Sequence, residues 1–318
     1  MQLSIIIVNW HSADFVRKCL ETLFVRARDL AFEVLVVDNA SFDGCATIVE
    51  NEYPVVKFIQ CSTNLGFAKA NNRGASEAKG RHLLFLNPDT EIVGDALYRM
   101  SSFLDANPQA AIVGCRLLNS DLSLQTSCVQ AFPSIVNQAL DSEFLRRTFP
   151  KLPLWGTRAF LTNGASDVEV IAGACLMIRS DVFKAIGEFS SNYFMYAEDV
   201  DLCFKAREAG YRNYYLGDCC VVHHGGRSTE KKPENNFTSI MMRESLLEFM
   251  RTRRGKLYAA AYHLSIILTA LARLSLLTAA VPFTLSRQNR AALLVAVAKW
   301  ARVLRWGLGM EAWSRQPA

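Results

Sequence analysis

"HLLFLNPDTEI", residues 82–92, decides how the rest of the chain is read. Leu83 through Leu86 are four consecutive apolar residues, the pattern of a strand buried on both faces. Asn87-Pro88 stops the run, because proline cannot continue a central strand, and the next residue is a carboxylate, Asp89. An acid at the tip of a buried strand is either a turn former or a ligand for something bound beyond the end of the sheet.

The same strand-then-helix rhythm runs through the residues before it. "LSIIIVNW" (3–10), "FEVLVVD" (32–38) and "VVKFIQ" (55–60) read as strands. Helices are expected at 14–27, from a Ser41 cap through 53, at 67–79 closed by Gly80, and at 95–106 ended by Asn107-Pro108. This alternation predicts an α/β fold with a mostly parallel, doubly wound sheet flanked by helices. With strand order 3-2-1-4, the carboxyl ends would bring Asn9, Asp38 and Asp89 to one crevice.

Beyond residue 119 the pattern loosens up to about 167, with Pro133, Pro150 and Pro153 and no clear period; such a stretch either holds a substrate or covers the sheet. "VEVIAGACLMIRS" (168–180) is two short strands or one bent strand, a helix over 199–209 stops at Gly210, and "RNYYLGDCCVVHH" (212–224) supplies the last strands.

Composition is that of an ordinary folded protein, 51% apolar and 20% charged over 318 residues. The net charge of +5 hides an asymmetry. Residues 251–318 hold 11 Lys and Arg against the single acid Glu311, whereas residues 1–250 hold 24 basic and 29 acidic residues. A basic tail on a mildly acidic body suits an anionic surface; no nucleic acid is expected as partner, and oligomeric state is not legible. The nine cysteines are scattered without a CxxC pair and are expected to be reduced and apolar in role. The chain opens directly on a strand-like run, so no secretory leader is expected and the compartment is expected to be the cytoplasm.

No GxGxxG follows the first strand and no P-loop occurs, so a phosphate-bearing ligand needs another counter-charge. A divalent cation on Asp89, Mg²⁺ or Mn²⁺, would supply it, since both take carboxylate and phosphate oxygens together. Downstream, "NYFMYAEDVDLCFKAREAGY" (192–211) gathers Glu198, Asp199 and Asp201 at a helix start, where the dipole favours acids. Tyr193, Phe194 and Tyr196 just upstream offer an apolar wall, against which a carboxylate can serve as general base. "VVHHGGRS" (221–228) puts His223 and His224 at a strand end, in reach of ligation.

Taken in order, "SIIIVNW", "VVDNASFDG", "NLGFAKANNRG", "FLNPDT", "AGACLMIRSDVFKAIGEF", "FMYAEDVDLCFKAREAGY" and "VVHHGGRS" resemble family 2 glycosyltransferases, over residues 3 to about 228. The chain is most similar to the rhamnosyltransferase-like branch that acts in bacterial cell-surface polysaccharide assembly. The resemblance implies a GT-A fold and inverting, metal-dependent transfer from a nucleotide-sugar, dTDP-rhamnose among the candidates, to a saccharide acceptor. It implies that Asn9 and Asp38 contact base and ribose with Asn64 nearby, and that Asp89 holds Mg²⁺ or Mn²⁺ on the diphosphate. His223 would reach the metal or the diphosphate, and Asp199 would be the base with Glu198 positioning it. Asn87 stands where the family's metal motif has its first acid, a departure that removes one carboxylate.

Residues 1–228 are thus expected to form the transferase domain and 229–318 a helical appendage. Residues 257–285 are apolar for longer than the ~20 needed to span a bilayer, but His263, Arg273 and Pro282 interrupt them. Residues 290–309 carry Lys299, Arg302 and Arg305 beside Trp300 and Trp306, the composition of a helix lying in a membrane interface. Peripheral attachment to the inner face of the cell membrane, with a lipid-linked acceptor, is the favoured expectation; a soluble cap or a dimer interface is the alternative. Two rivals to sugar transfer stand beside it. A sugar nucleotidyltransferase would need a Gly-rich, Arg-bearing loop after strand one, which "VNWHSADF" lacks, and an inactive binding module would have no use for Asp89, Asp199 and His223 together.

Overall fold

The computed structural model describes residues 1–27, 30–141, 145, 148, 149, 152–225, 236–284 and 286–311. Its first half builds as the periodicity implies: β1 (Leu3–Asn9), α1 (Ala13–Arg26), β2 (Phe32–Asp38), α2 (Cys45–Glu52), β3 (Lys57–Gln60), α3 (Gly66–Ala75) and β4 (His82–Leu86). All seven residues of β1 are buried, as a strand covered on both faces requires. Helix α1 buries Ala13, Val16, Cys19, Leu20 and Leu23 along one stripe, with Asp14 in its first turn and Arg26 in its last, both favourable to the helix dipole. Next come β5 (Thr90–Ile92), α4 (Ala96–Ala106), β6 (Ala110–Leu118), β7 (Val129–Gln130), α5 (Ile135–Ala139), β8 (Ala165–Val168), β9 (Val170–Ile171) and β10 (Cys175–Arg179). Two further helices, α6 (Ser180–Ala185) and α7 (Glu198–Glu208), lead to the long β11 (Arg212–His223).

The strands form one mixed sheet in the order β3-β2-β1-β4-β10-β6-β11-β5, with β8 also on β11, and β7 pairs with β9 separately. β3, β2, β1 and β4 are parallel neighbours, and β6 is parallel to β11. β10 runs antiparallel between β4 and β6, and β5 antiparallel to β11. The expected 3-2-1-4 order is therefore present, joined to a mixed half that the strand periodicity alone did not distinguish.

Local expectations are corrected at two places. Ser41 does not cap α2, which begins after Gly44 in the left-handed conformation; its hydroxyl instead donates to the Asn9 carbonyl and accepts from the His11 N–H. Gly80 does not end α3, which stops at Ala75; it lies so close to β1 that a Cβ would stand 2.4 Å from the Ser4 nitrogen.

The appendage consists of α8 (Asn236–Arg254), α9 (Lys256–Ala280) and α10 (Arg287–Gly307). The expected boundary at 228/229 lies outside the described residues, but α8 packs on the body. Arg253 binds the fully buried Asp201, Ser245 donates to the Met195 carbonyl, and Asn192 donates to Glu248. α9 buries Ala259, Tyr262, Ile266 and Ala270 and is long and apolar enough to cross a membrane, with Leu257, Leu264, Leu268 and Leu276 exposed. Arg273, read as an interruption, is satisfied inside the protein by the carbonyls of Ala139 and Asp141. Trp300 and Trp306 overturn their expected interfacial placement: both are buried, Trp306 donating to Glu244 and stacking on His263. The spacing of Trp300, Val303 and Trp306 is the inward stripe of α10.

Candidate active site

The crevice at the carboxyl ends of β1, β2 and β4 has two sides. On the first, Asn9 ends β1 opposite Asp38 at the end of β2, in register. The Asn9 Nδ2 donates to Asp38 Oδ1 at 2.6 Å and to Asp43 Oδ1 at 2.9 Å, while its Oδ1 accepts from the Ser12 N–H. Asp38 also accepts from the Ser41 N–H at 3.1 Å and from Gln60 Nε2 at 2.7 Å. Asn9 is fully buried and Asp38 nearly so, which places both behind the loop at 39–44 rather than on its open surface. Asn64 is half-buried; its Oδ1 accepts from Asn39 Nδ2 and the Gly66 N–H, and its Nδ2 has no partner among the described residues. His11, Ala40 and Phe42 all hold positive φ, conformations that cost side-chain-bearing residues energy and that concentrate at functional loops.

The second side is made by the pairing of β5 with β11, which sets His223 opposite Thr90 and draws it to Asp89. His223 Nε2 is 3.3 Å from Asp89 Oδ1 and 3.4 Å from Asn87 Nδ2. On the other edge of the ring, Nδ1 is 2.7 Å from Gln125 Oε1, and the Gln125 amide is itself oriented by donating to Asn119. With Nδ1 engaged by Gln125 Oε1, Nε2 is the nitrogen turned toward Asp89. His224, by contrast, is spent on Glu91 and Ser120. Among the described residues no three His, Cys, Asp or Glu side chains converge. Asp89 and His223 could supply two donors of a set that phosphate oxygens and water would complete, a donor chemistry compatible with Mg²⁺ or Mn²⁺.

A short turn connects this side to the acids of α7. The Asn87 N–H donates to the Ala174 carbonyl at 2.9 Å, and the neighbouring Gly173 N–H donates to Asp199 Oδ2 at 2.7 Å. The other Asp199 oxygen accepts from the Val200 N–H at 2.8 Å. Burial pushes the Asp199 carboxyl up from its ordinary range, and those two N–H donors oppose the shift. Glu198 is more deeply buried, its Oε2 has no hydrogen-bond partner among the described residues, and burial with the charge of Asp199 pushes it up to about 8. Both carboxyls are thus biased toward the neutral form, Glu198 the more strongly, a splitting of the kind that gives paired acids different roles. The segment before them is constrained, with Tyr196 and Ala197 both at positive φ. Gly66 presses against it at φ +77°, where a Cβ would meet the Phe194 carbonyl oxygen at 2.5 Å.

The third acid, Asp201, is no part of the opening. It is fully buried and held by Arg253, Ser190 and the Tyr193 hydroxyl. Sequence reasoning missed Asp43, although it lies within the quoted "VVDNASFDG", and Gln60 and Gln125, whose segments carry no chemical signature; all three orient other side chains. All nine cysteines are free, and burial pushes the Cys19 and Cys45 thiols up to about 12, which disfavours the reactive thiolate there.

The family model for Glycosyl transferase family 2 matches residues 4–187. The chain belongs to this family. This glycosyltransferase is 27% identical over 251 residues to an N-acetylglucosaminyl-diphospho-decaprenol L-rhamnosyltransferase of Mycobacterium tuberculosis, covering 74% of this chain and 80% of that one. It is 27% identical to the rhamnosyltransferase WbbL of Escherichia coli, covering 69% and 82%. In fold it is similar to a mannosyltransferase from Pyrobaculum calidifontis solved with GDP-Man and Mn²⁺, at a TM-score of 0.62 and 20% identity over 98% of this chain and 84% of that one. The glycosyltransferase has the GT-A architecture expected from its motifs.

Proposed function

We propose that this glycosyltransferase moves a sugar, with inversion, from a nucleoside-diphosphate sugar to a saccharide carried on a lipid diphosphate at the cytoplasmic membrane face. The observation that carries the reading is the Asn87–Ala174 and Gly173–Asp199 pair of hydrogen bonds, which ties the Asp89–His223 end of the crevice to the Glu198–Asp199 pair. Similarity to two rhamnosyltransferases supports rhamnose as the sugar, and the diphospho-decaprenol in one relative's name supports the class of acceptor.

Asp199 takes the proton of the acceptor hydroxyl as that oxygen attacks the anomeric carbon, and the nucleoside diphosphate leaves from the opposite face. Its N–H contacts with Gly173 and Val200 fix the carboxylate so that little reorganisation accompanies proton transfer. Glu198, held neutral, keeps a second negative charge away from the departing diphosphate. Asp89 and His223 would hold Mg²⁺ or Mn²⁺, which when bound offsets the charge on the leaving group. Asn9 acts from behind by fixing Asp38 and Asp43, and Asn64 offers its free Nδ2 to the nucleotide.

The test incubates the full chain in nonionic detergent with nucleoside-diphosphate sugars, Mn²⁺ and a prenyl-diphosphate-linked N-acetylglucosamine. Free nucleoside diphosphate and a glycoside of inverted anomeric configuration are expected. Release of pyrophosphate would instead assign a nucleotidyltransferase, and a retained configuration would remove Asp199 from its role.

A further inference from the structure

Two guanidinium groups flank one indole in the appendage, and a lysine adjoins them. The buried Trp300 ring has the Arg273 guanidinium 4.5 Å and the Arg243 guanidinium 5.2 Å from its centroid. Lys299 faces the same two guanidinium groups and has no ion pair among the described residues. Asp141 is the carboxylate that all three cations feel. Among the described residues the three cations face Asp141, with Glu244 already engaged by Trp306, an excess of positive charge partly out of water that an anion would offset. Burial pushes both Arg243 and Arg273 down from their ordinary values, the mark of that cost.

Two unpaired groups mark the same place. Arg243 Nε and Tyr262 Oη are buried and have no hydrogen-bond partner among the described residues, and Tyr262 lies within electrostatic reach of Arg243. Native interiors rarely leave such groups unmatched, so each calls for an explanation. Arg273 shows the contrast, with both Ala139 and Asp141 carbonyls accepting from it.

The position is as telling as the charge. Arg243 lies two residues from Ser245, whose hydroxyl donates to the Met195 carbonyl at 2.7 Å in the segment leading into Glu198. At the other end Lys299 is exposed and shares a helix face with the exposed Val295, while Arg273 is one turn from the exposed Leu276. The cluster thus runs from the catalytic segment out to an apolar surface.

We infer that Arg243, Arg273 and Lys299, with Tyr262, form a binding site for the diphosphate of a prenyl-linked lipid, whose hydrocarbon chain follows the exposed apolar faces of α9 and α10. The site would hold the acceptor of the proposed transfer by its head group, and it rests on that reading for the identity of the lipid alone. The charge asymmetry of the chain, concentrated in residues 251–318, fits the same class of ligand.

The test titrates the full chain in nonionic detergent with farnesyl diphosphate and, separately, with inorganic pyrophosphate. A chelator and a saturating nucleoside diphosphate are present, so that the crevice at Asp89 does not compete. Farnesyl diphosphate is expected to bind more tightly than pyrophosphate. Arg243→Gln and Lys299→Gln are each expected to weaken it about tenfold, the effect of losing one charge-assisted contact. Lys299 is exposed, so its variant remains informative if Arg243→Gln does not fold. Farnesyl diphosphate affinity unchanged in Lys299→Gln would overturn the site, equal affinity for pyrophosphate would overturn the lipid as its ligand, and binding only to vesicles containing phosphatidylglycerol would replace it with a general lipid contact. Sugar transfer by the wild-type chain is read in a separate assay, so failure here leaves that reading to stand or fall by itself.

Discussion

Arg253, near the end of the first appendage helix, grips the fully buried carboxylate of Asp201 with Nε at 2.6 Å and a terminal nitrogen at 3.1 Å. Asp201 lies in the first turn of the helix that starts at Glu198, so the appendage helps to hold in place the helix that bears Glu198 and Asp199. Removing one partner of a buried ion pair leaves the other charge stranded, typically costing ~3–5 kcal/mol. Arg253→Met is expected to destabilise by about that much in urea unfolding, and the double variant with Asp201→Asn to recover part of it. A chain cut near residue 251 would lose this contact and is a poor choice for separating the domain from its appendage.

Asp89→Ala is expected to abolish metal-dependent turnover while the folding transition moves little. Gln125→Ala should act more gently, lowering Mn²⁺ affinity in the presence of nucleotide by about 10–100-fold, because it frees the His223 ring without removing a donor. Wild-type Mn²⁺ titration curves in the Gln125 variant would show that the ring needs no such support.

Asp199→Asn is expected to lose ~10²–10⁴ in kcat while donor binding persists, as for loss of a general base. In the wild type, turnover should fall as pH drops through the Asp199 titration, since only the carboxylate accepts the proton. Glu198 gives a stability signature of definite sign. Its folded-state value of about 8 lies above the ordinary 4.5, so between these the folded chain binds the extra proton and stability declines as pH rises. Glu198→Gln should therefore raise the melting temperature, with a larger gain at pH 8 than at pH 5. An equal gain at both would show that Glu198 is ionised in the folded chain.

In flotation with liposomes containing phosphatidylglycerol, the full chain is expected to rise at low salt and to be released at high salt. Each Lys or Arg near an anionic surface contributes ~1 kcal/mol. Leu264 and Leu268 are more than half exposed on α9, so Leu264→Asp with Leu268→Asp should prevent flotation without unfolding the chain. Flotation equal to wild type would assign the apolar face of α9 to something other than a bilayer.

Much of the site was legible because it sits at strand ends. Continuous apolar runs locate β1, β2 and β4, and a polar residue directly after such a run has few places to be except the crevice. Asp89 and Asp38 were found that way, and the Glu198–Asp199 pair was marked by acids beside aromatics. Asn9 illustrates the limit. Its place at the crevice was readable, but its burial behind Asp38 and Asp43 depends on the path of the 39–44 loop, which periodicity does not encode. Gln125 was invisible for the same reason, since its role arises from a partner 98 positions away. The tryptophans of α10 were misread because an amphipathic stripe looks alike whether it faces lipid or protein, and only Glu244, His263 and Arg273 show which.

The antiparallel insertion of β10 also bears on how the chain reaches this structure. β4 and β6 do not touch; each is hydrogen-bonded to β10, which is made long after both during synthesis. Until Cys175–Arg179 arrives, a growing chain carries an open edge on β4 and both edges of β6 unpaired, since β11 is made later still. Pairings of such long sequence separation form slowly, and open edges in the interval invite association with other chains. The strand that seats the Gly173-Ala174 turn is therefore also the latch of the sheet, and fragments ending before it are expected to aggregate rather than fold.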